Sequence, residues 1–374
     1  MNRLYIIDGH SLLYKAYYAI RGLSTHSGTP TNAVFGFVNM LHRVIRECHA
    51  KFLCVTFDSG KPSFRVQIYP EYKANRPEMP QDLQIQIPIV FRLVDAMGIK
   101  RIVMDGYEAD DLIATLCHHA EEQGWETRIV TADKDLFQLV TSRTHVLRFT
   151  KDTIEEYDPE AVRAKMGVPP ERIADLLGLM GDSTDNIPGI SGIGPKTASN
   201  LLRDHGDLET VLKNAAGLKN PRMKEKLLSG AESARLSLQL ATVARDIPLE
   251  ANLVDFAYTE HLTKDLESLL TDLEFRSLLS QMKKRGEPAP AEPPAPTAGQ
   301  QYRIIRTVEE LQVYVDNAVK IGTVAIDTET TSLDTHTCAL VGVSLSFHTG
   351  EAVYIPVGHD PMMAGGKQIS LDEL

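Results

Sequence analysis

The sequence predicts an α/β fold: a parallel-sheet core flanked by helices, then a helical subdomain, then a smaller and incomplete α/β segment. Three observations carry this. Short apolar, β-branched runs that end in an acid alternate with stretches of helical period through the first 135 residues. From about residue 176 to 285 the strand-like runs stop and mixed-charge helical periods take over. Residues 287–300, EPAPAEPPAPTAGQ, are mostly Pro, Ala and acid, a composition that cannot build a core and reads as an extended linker. The expected divisions are therefore 1–175, 176–286, the linker 287–300, and 301–374.

Taken in order, residues 3–7 (RLYII) form a buried strand ending in Asp8-Gly9. The N-terminal MNRLYIIDGHSLLYKAYYAI is read as this first core strand and not as a leader, because Asp8 and His10 interrupt the apolar run and no small-residue cleavage site follows. Residues 52–57 (FLCVTF) end in Asp58-Ser59-Gly60, and 127–132 (TRIVTA) end in Asp133, with a shorter run, IKRIVM, at 99–104. Helical periods occupy 32–48, 90–98 and 110–124. Parallel sheets of this kind take ligands beyond the carboxyl ends of their strands, so Asp8, Asp58 and Asp133 fall at one edge by chain position alone.

At 374 residues the chain has room for two to three domains, and no run approaches the ~18 apolar residues of a membrane span. Cys48, Cys54, Cys117 and Cys338 lie singly in apolar strings with no C-x-x-C spacing, which suits small core residues in a reducing cytoplasm; a monomer is expected. The net charge of −11 argues against a nucleic-acid partner if spread evenly, but not if acids gather at a metal site and bases elsewhere.

The distribution is uneven. Residues 106–135 hold two acid clusters, Glu108, Asp110 and Asp111, then Asp133 and Asp135, on either side of one helix-length segment. Converging carboxylates would repel by about 4 kcal/mol per close pair at an effective dielectric near 20, so gathering them calls for a compensating charge, and a pair of divalent cations is the natural one. Taken one at a time, each acid reads more readily as a helix cap or a turn residue than as a ligand. Capping does not account for E-x-D-D together with D-x-D and two further strand-end acids. Asp182 and Asp185, three apart in GDSTDN, add to the set or are simple turn chemistry.

Before the acids, SGKPSFRVQIYPEYKANRPEMPQDLQ carries Lys61, Arg65, Lys73 and Arg76 among Tyr69 and Tyr72. Its prolines at 62, 70, 77, 80 and 88 argue against one long helix. Bases interleaved with aromatics suit a phosphate backbone and stacked bases; an ordinary solvated loop is the other reading. After the acids, two helical segments join through Gly192-Ile193-Gly194, with Pro195 placed to start the second. The free N–H groups of such a helix start suit a phosphate oxygen, and a plain connecting turn is the alternative. Beyond the linker, Thr307 and Glu310 form a capping box for a helix at 308–320, followed by a meander of strands at 323–334, 338–347 and 351–358. Asp327 and Glu329, two apart on a strand, face one side, a pattern that also arises by chance on an exposed strand.

Together IIDGHSLLYKAYYA, FDSGKPSFR, YPEYKANR, GYEADD, TADKDLFQL, GLMGDSTDNIPG and GIGPKTA resemble, in order, the 5′ nuclease domain of the bacterial DNA polymerase I family, within the flap-endonuclease superfamily. The resemblance covers residues 1 to about 285; AIDTETTSLD and the YIPVGHD run make 302–374 resemble the beginning of a 3′–5′ proofreading exonuclease domain. It implies that Asp8, Asp58, Glu108, Asp110, Asp111, Asp133, Asp135, Asp182 and Asp185 bind metal, and none of them is replaced. Tyr72, Lys73 and Arg76 fall on the family's arch, where Lys73 and Arg76 would stabilise the scissile phosphate. Arg65 joins them as a DNA contact. Gly192 to Ala198 match its helix-hairpin-helix, making Gly192, Gly194, Lys196 and Thr197 DNA-binding candidates, and in relatives this hairpin can bind a monovalent cation. The chain stops at Leu374, before the later proofreading motifs and any polymerase domain, which reads as a fragment whose Asp327 and Glu329 cannot complete a proofreading site.

The implied cofactors are two or more Mg2+ ions, with Mn2+ able to replace them, since a carboxylate-rich set without His or Cys ligands suits a hard cation. The implied activity is 5′–3′ exonuclease and 5′-flap endonuclease action on DNA or RNA 5′ ends, as in primer removal and excision repair. A non-catalytic DNA-binding module with unused acids would be marked by loss of some acids. A sequence-specific ribonuclease of a related small fold would need only about four of these acids and no basic arch; the YPEYKANR stretch and the hairpin argue against it.

Overall fold

The structure is a computed structural model describing residues 2–150, 153–286, 301–332, 338–348, 350–359 and 368–373. The Pro/Ala-rich linker at 287–300 lies outside the described residues. Contacts divide the chain into two units, Met1–Gly286 and Glu287–Leu374.

The first unit is built on a six-stranded sheet in the order β3-β2-β1-β4-β5-β6, where β1 is Arg3–Asp8, β2 Phe52–Thr56, β3 Lys100–Ile102, β4 Glu126–Val130, β5 Thr144–Phe149 and β6 Ile154–Tyr157. Every pairing is parallel except β5 with β6. The chain runs outward from β1 through β2 to β3, then returns to lay β4 on the other side of β1. The order therefore reverses between β1 and β4, and the crevice beyond their carboxyl ends is where such sheets take ligands.

Why the strands read as unbroken apolar runs is visible in β1. Leu4 and Ile6 enter one core with Ile113, Leu116 and Ile129, while Tyr5 and Ile7 enter the other with Phe37 and Val90. Alternate side chains of one strand are thus buried on opposite faces.

The helices are α1 Gly9–Ala19, α2 Asn32–Glu47, α3 Phe64–Ile68, α4 Gln81–Ala96, α5 Ala109–Glu122, α6 Pro159–Met166, α7 Ile173–Met180, α8 Pro195–His205, α9 Leu208–Asn214, α10 Pro221–Ser229, α11 Ala231–Ala241, α12 Lys264–Asp272 and α13 Arg276–Gly286. Helices α5 and α7–α11 share the Leu4/Ile6 core. Helices α1, α2 and α4 cover the other face, to which α12 and α13 return.

Several elements differ from the sequence reading. The chain turns helical immediately after Asp8, whose Oδ1 accepts the Ser11 N–H at 3.1 Å; the apolar string continuing from β1 into α1 hides the change of period. Helix α4 starts at Gln81, nine residues before 90, and carries Pro88 inside it despite the roughly 3 kcal/mol an interior proline costs. Its buried face, Leu83, Val90, Leu93 and Val94, offsets that cost. Helix α7 ends at Met180 with Gly181 at φ +74°, so a single loop, 181–194, carries both the acidic turn and the glycine turn.

The second unit is a four-stranded sheet in the order β7-β10-β9-β8, with β7 Gln301–Ile304, β8 Ala325–Thr330, β9 Leu340–His348 and β10 Glu351–Pro356, and one helix, α14 Val308–Ile321. Thr307 caps α14 by accepting the Glu310 N–H, but Glu310 reaches back to the Arg306 N–H instead of completing the box at Thr307. Its core is small, centred on Leu311, Val343, Val353 and Ile355, and edge strand β8 is exposed along its whole length. No helix among the described residues is long and apolar enough to cross a membrane.

Candidate metal centre and nucleic-acid interface

Seven of the nine predicted acids from the first unit come from the carboxyl edge of the sheet and the first turns after it, and two come from the 181–194 loop. Asp8 ends β1, with Oδ2 accepting the Thr131 hydroxyl at 2.6 Å. Asp58, just past β2, accepts the Ala109 N–H at 2.8 Å and so ties that strand end to the start of α5. Glu108 is the N-cap of α5, and Asp110 lies in its first turn. Asp133 follows β4 and accepts the Asp135 N–H at 2.8 Å. The acids border a cleft of about 900 Å³ whose walls include Asp8, Asp58, Glu108, Asp110 and Asp133.

Burial and mutual repulsion set the electrostatics. Asp8 is pushed up to about 7 by burial, with Asp133 and Asp58 adding to it against the hydrogen bonds from Thr131 and Ser11. Asp135 is pushed up to about 8 by burial and then by Asp133 and Asp182. Asp110, which accepts no hydrogen bond from the described residues, is driven well above the usual range by burial, Asp133 and Asp8. Asp133 is raised as well, chiefly by burial. Glu108 behaves oppositely: burial would raise it, but Lys73 and Arg65 outweigh burial and hold it low. Asp8, Asp110, Asp133 and Asp135 thus lack the directly paired counter-charge that Glu108 has in Lys73.

His10, which sequence reasoning passed over, lines the same cleft. Its Nδ1 accepts the Asp58 N–H at 3.2 Å and burial lowers its pKa, so the 3.6 Å approach to the Asp58 carboxylate is not an ion pair.

Lys73 and Arg76 are docked on the acids. The Lys73 ammonium lies 2.9 Å from Glu108 and 3.7 Å from Asp185, and Arg76 is paired with Asp185. Lys73 sits at φ +59°, a backbone conformation a non-glycine residue holds at a cost, and its N–H donates to the Asp185 carbonyl at 2.9 Å. Asn75 and Asn186 bond across the same contact, to Ser183 and Glu71 carbonyls, each at 2.7 Å.

Three expectations are corrected. Asp111 is fully buried, and both its oxygens are engaged: Arg65 binds them in a two-pronged fork at 2.8 Å each, and the Glu108 and Ala244 N–H groups take the remaining lone pairs. It has no oxygen to offer a cation in the cleft. Arg65, 2% exposed, cannot reach a DNA backbone. Tyr72 is buried under the Lys73 ammonium with its hydroxyl donating to Glu108 at 3.1 Å, so its ring is not a stacking platform. The basic wall of the cleft is instead completed by Lys15, Lys134, Arg148 and Lys165, with Tyr14 and Tyr18 beside them. These come from separate elements, and no local run in the sequence marks them.

At the hairpin, Gly192 has φ +74° and Gly194 is the N-cap of α8, with Lys196 exposed in its first turn and Thr197 half-buried. The Gly192 carbonyl accepts the Lys226 ammonium at 3.0 Å. In the second unit, Asp327 and Glu329 stand on exposed β8, opposite Ser344 and Gly342.

Among the described residues no group of three or more Asp, Glu, His or Cys side chains is drawn tightly enough around one point to hold an ion as the side chains stand. The donor set nevertheless fits a hard cation: it is all carboxylate oxygen, and Asp135 Oδ1 is buried with no hydrogen-bond partner.

The fold and site define a class. A family model for the 5′–3′ exonuclease N-terminal resolvase-like domain matches residues 3–167, and one for the 5′–3′ exonuclease C-terminal SAM fold matches 168–282. Residues 3–282 belong to the 5′–3′ exonuclease family, and the chain is an enzyme of the nuclease class. A 3′–5′ exonuclease model matches 302–364. The particular protein the chain is similar to is DNA polymerase I. It is 42% identical over 290 residues to the thermostable DNA polymerase I of Thermus thermophilus, covering 78% of this chain and 34% of that protein. With DNA polymerase I of Bacillus caldotenax it is 38% identical over 345 residues, covering 92% of this chain and 38% of that protein. The chain thus spans between a third and two fifths of the length of these relatives. Among solved structures, the flap endonuclease of bacteriophage T5, in a pseudo-enzyme–product complex with DNA and metal ions, shares the fold at 21% identity and a TM-score of 0.54, over 76% of this chain and 97% of that one.

Proposed function

We propose that the first unit is a divalent-metal-dependent 5′ nuclease, hydrolysing phosphodiester bonds at 5′ ends and flaps of DNA and of RNA-primed DNA, as part of a longer DNA polymerase I acting in replication and excision repair. The observation that carries the reading is the group Asp8, Asp110, Asp133 and Asp135, whose proton affinity is raised by burial and by one another while Asp135 Oδ1 lacks any partner. Carboxylates crowded in this way are stable as anions only beside a cation.

Asp8, Asp58, Glu108, Asp110 and Asp133 would hold Mg2+, or Mn2+, nearest the cut, with Asp135, Asp182 and Asp185 completing an outer position. Bound there, the cation supplies charge neutralisation at the phosphate and an acidified water. The chain's own residues do the rest. Lys73 and Arg76, now held on Glu108 and Asp185, face the cleft and supply fixed positive charge to the phosphate oxygens. Lys15, Lys134, Arg148 and Lys165 line the same cleft and offset the acids' repulsion of the approaching backbone. The exposed start of α8, with Lys196 and Thr197, offers N–H and side-chain donors to a duplex phosphate away from the chemistry.

The test uses a duplex with a 5′-labelled flap. Short labelled products formed with Mg2+ and abolished by EDTA are expected. An intact flap at saturating Mg2+ contradicts the reading and favours a module that only binds DNA.

A further inference from the structure

Arg65 and Asp111, which the cleft does not use, join three parts of the first unit. The guanidinium spends two donors on the carboxylate, and its remaining bonds go to the end of α11: Nε to the Leu240 carbonyl at 2.9 Å and Nη2 to the Thr242 carbonyl at 3.0 Å. A cation there complements the helix's negative end. Asp111 answers by accepting the Ala244 N–H at 2.9 Å and the Glu108 N–H at 3.1 Å, which fixes the first turn of α5.

Closer to its start, α11 is pinned to the acidic loop. The Ser237 hydroxyl accepts the Gly189 N–H at 2.8 Å, and the Ser233 hydroxyl donates to the Gly189 carbonyl at 2.7 Å. Helix α11 is therefore fastened at one end to the turn that presents Glu108 and Asp110, and further along to the loop that presents Asp182 and Asp185. A buried ion pair of this kind is a poor way to gain stability, since apolar residues of similar volume do as well. What it gives is direction: six hydrogen bonds from three segments meet on two side chains.

We propose that Arg65 and Asp111 are positioning residues that set the register between the inner acids Glu108 and Asp110 and the outer acids Asp182 and Asp185, so that both groups are presented together to divalent cations. The inference rests on the metal-dependent reading above.

The test compares the full chain with the Arg65→Met/Asp111→Leu double variant, which removes both charges at once, and with Arg65→Lys, which keeps the charge and loses the fork. Mn2+ binding by calorimetry, the Mg2+ concentration for half-maximal flap cleavage, and the melting temperature in EDTA are measured. The double variant is expected to remain folded, with Mn2+ affinity about tenfold weaker and half-maximal Mg2+ raised to match, as for loss of residues that orient metal ligands. Arg65→Lys should shift both in the same direction by a smaller factor, and it carries the test if the double variant does not fold. Folded variants whose melting temperature falls while Mn2+ affinity and half-maximal Mg2+ stay within about twofold of wild type, well short of that tenfold loss, would overturn the inference. Wild-type protein that binds no Mn2+ and cleaves no flap would overturn the functional reading first, a distinguishable result.

Discussion

Asp110 and Asp133 sit half-buried in the walls of a cleft at the switch point of a parallel sheet, facing other carboxylates, whereas Asp327 and Glu329 stand on an edge strand open to solvent. Both sets come from short acid patterns in or beside a β-strand. The difference is what surrounds them. In the first unit the strand ends are covered on both faces, so the acids lose solvent and meet like charge; on β8 solvent screens each acid, and among the described residues no second group of acids joins them. A pattern of acids becomes a reactive site only when the fold removes the water that would keep them indifferent to one another.

The most forceful way to break this comparison is to remove an acid from the cleft. Asp110→Ala is expected to lower flap cleavage by about 10³-fold, equivalent to the several kcal/mol a properly held metal supplies, in single-turnover assays at saturating Mg2+. Removing the cleft's positive charge should cost less: Lys73→Ala and Arg76→Ala each lower kcat by about 10²-fold, with Arg76→Lys recovering part of it.

Asp8 near 7 and Asp135 near 8 lie above the value of about 4 expected in the unfolded chain. Between those limits the folded form holds protons that the unfolded form has released, so the stability present below about pH 4 is lost as pH rises through 7 to 8. Thermal melts in EDTA should therefore show the first unit's melting temperature falling from pH 5 to 8.5, with millimolar Mg2+ restoring it most at the alkaline end. A melting temperature that rises over that range would contradict the acids' lack of a counter-charge. The smallest effect belongs to the other side of the comparison: Asp327→Ala and Glu329→Ala should change flap cleavage by less than twofold and stability by no more than about 0.5 kcal/mol, as for exposed positions generally.

Much of this arrangement is legible in the sequence because a strand buried on both faces writes itself as an unbroken apolar run, and its terminal acid then marks the carboxyl edge. Asp8, Asp58 and Asp133 are placed that way. What the sequence hides is direction. Asp110 and Asp111 are neighbours on a helix and project about 100° apart, which lets one line the cleft while the other turns inward, but nothing in the sequence says which does. Asp111 turns inward to Arg65, whose burial nothing in SGKPSFRVQ announces. Lys15, Arg148 and Lys165 converge from α1, β5 and α6, and a wall assembled from distant segments leaves no local pattern. Helix α1 is lost for a simpler reason, since Leu12, Leu13 and Ala16 prolong the apolar string of β1.

On the proposed reading Asp8, Asp110 and Asp133 of the first unit, and not Asp111 or the pair on β8, hold the divalent cation. Anomalous scattering from crystals of the chain grown with Mn2+ tests it most directly. A peak against the Asp110 and Asp133 carboxylates, with none at Asp327 and Glu329, is the predicted result; density confined to β8, or none beside Asp110, would contradict it.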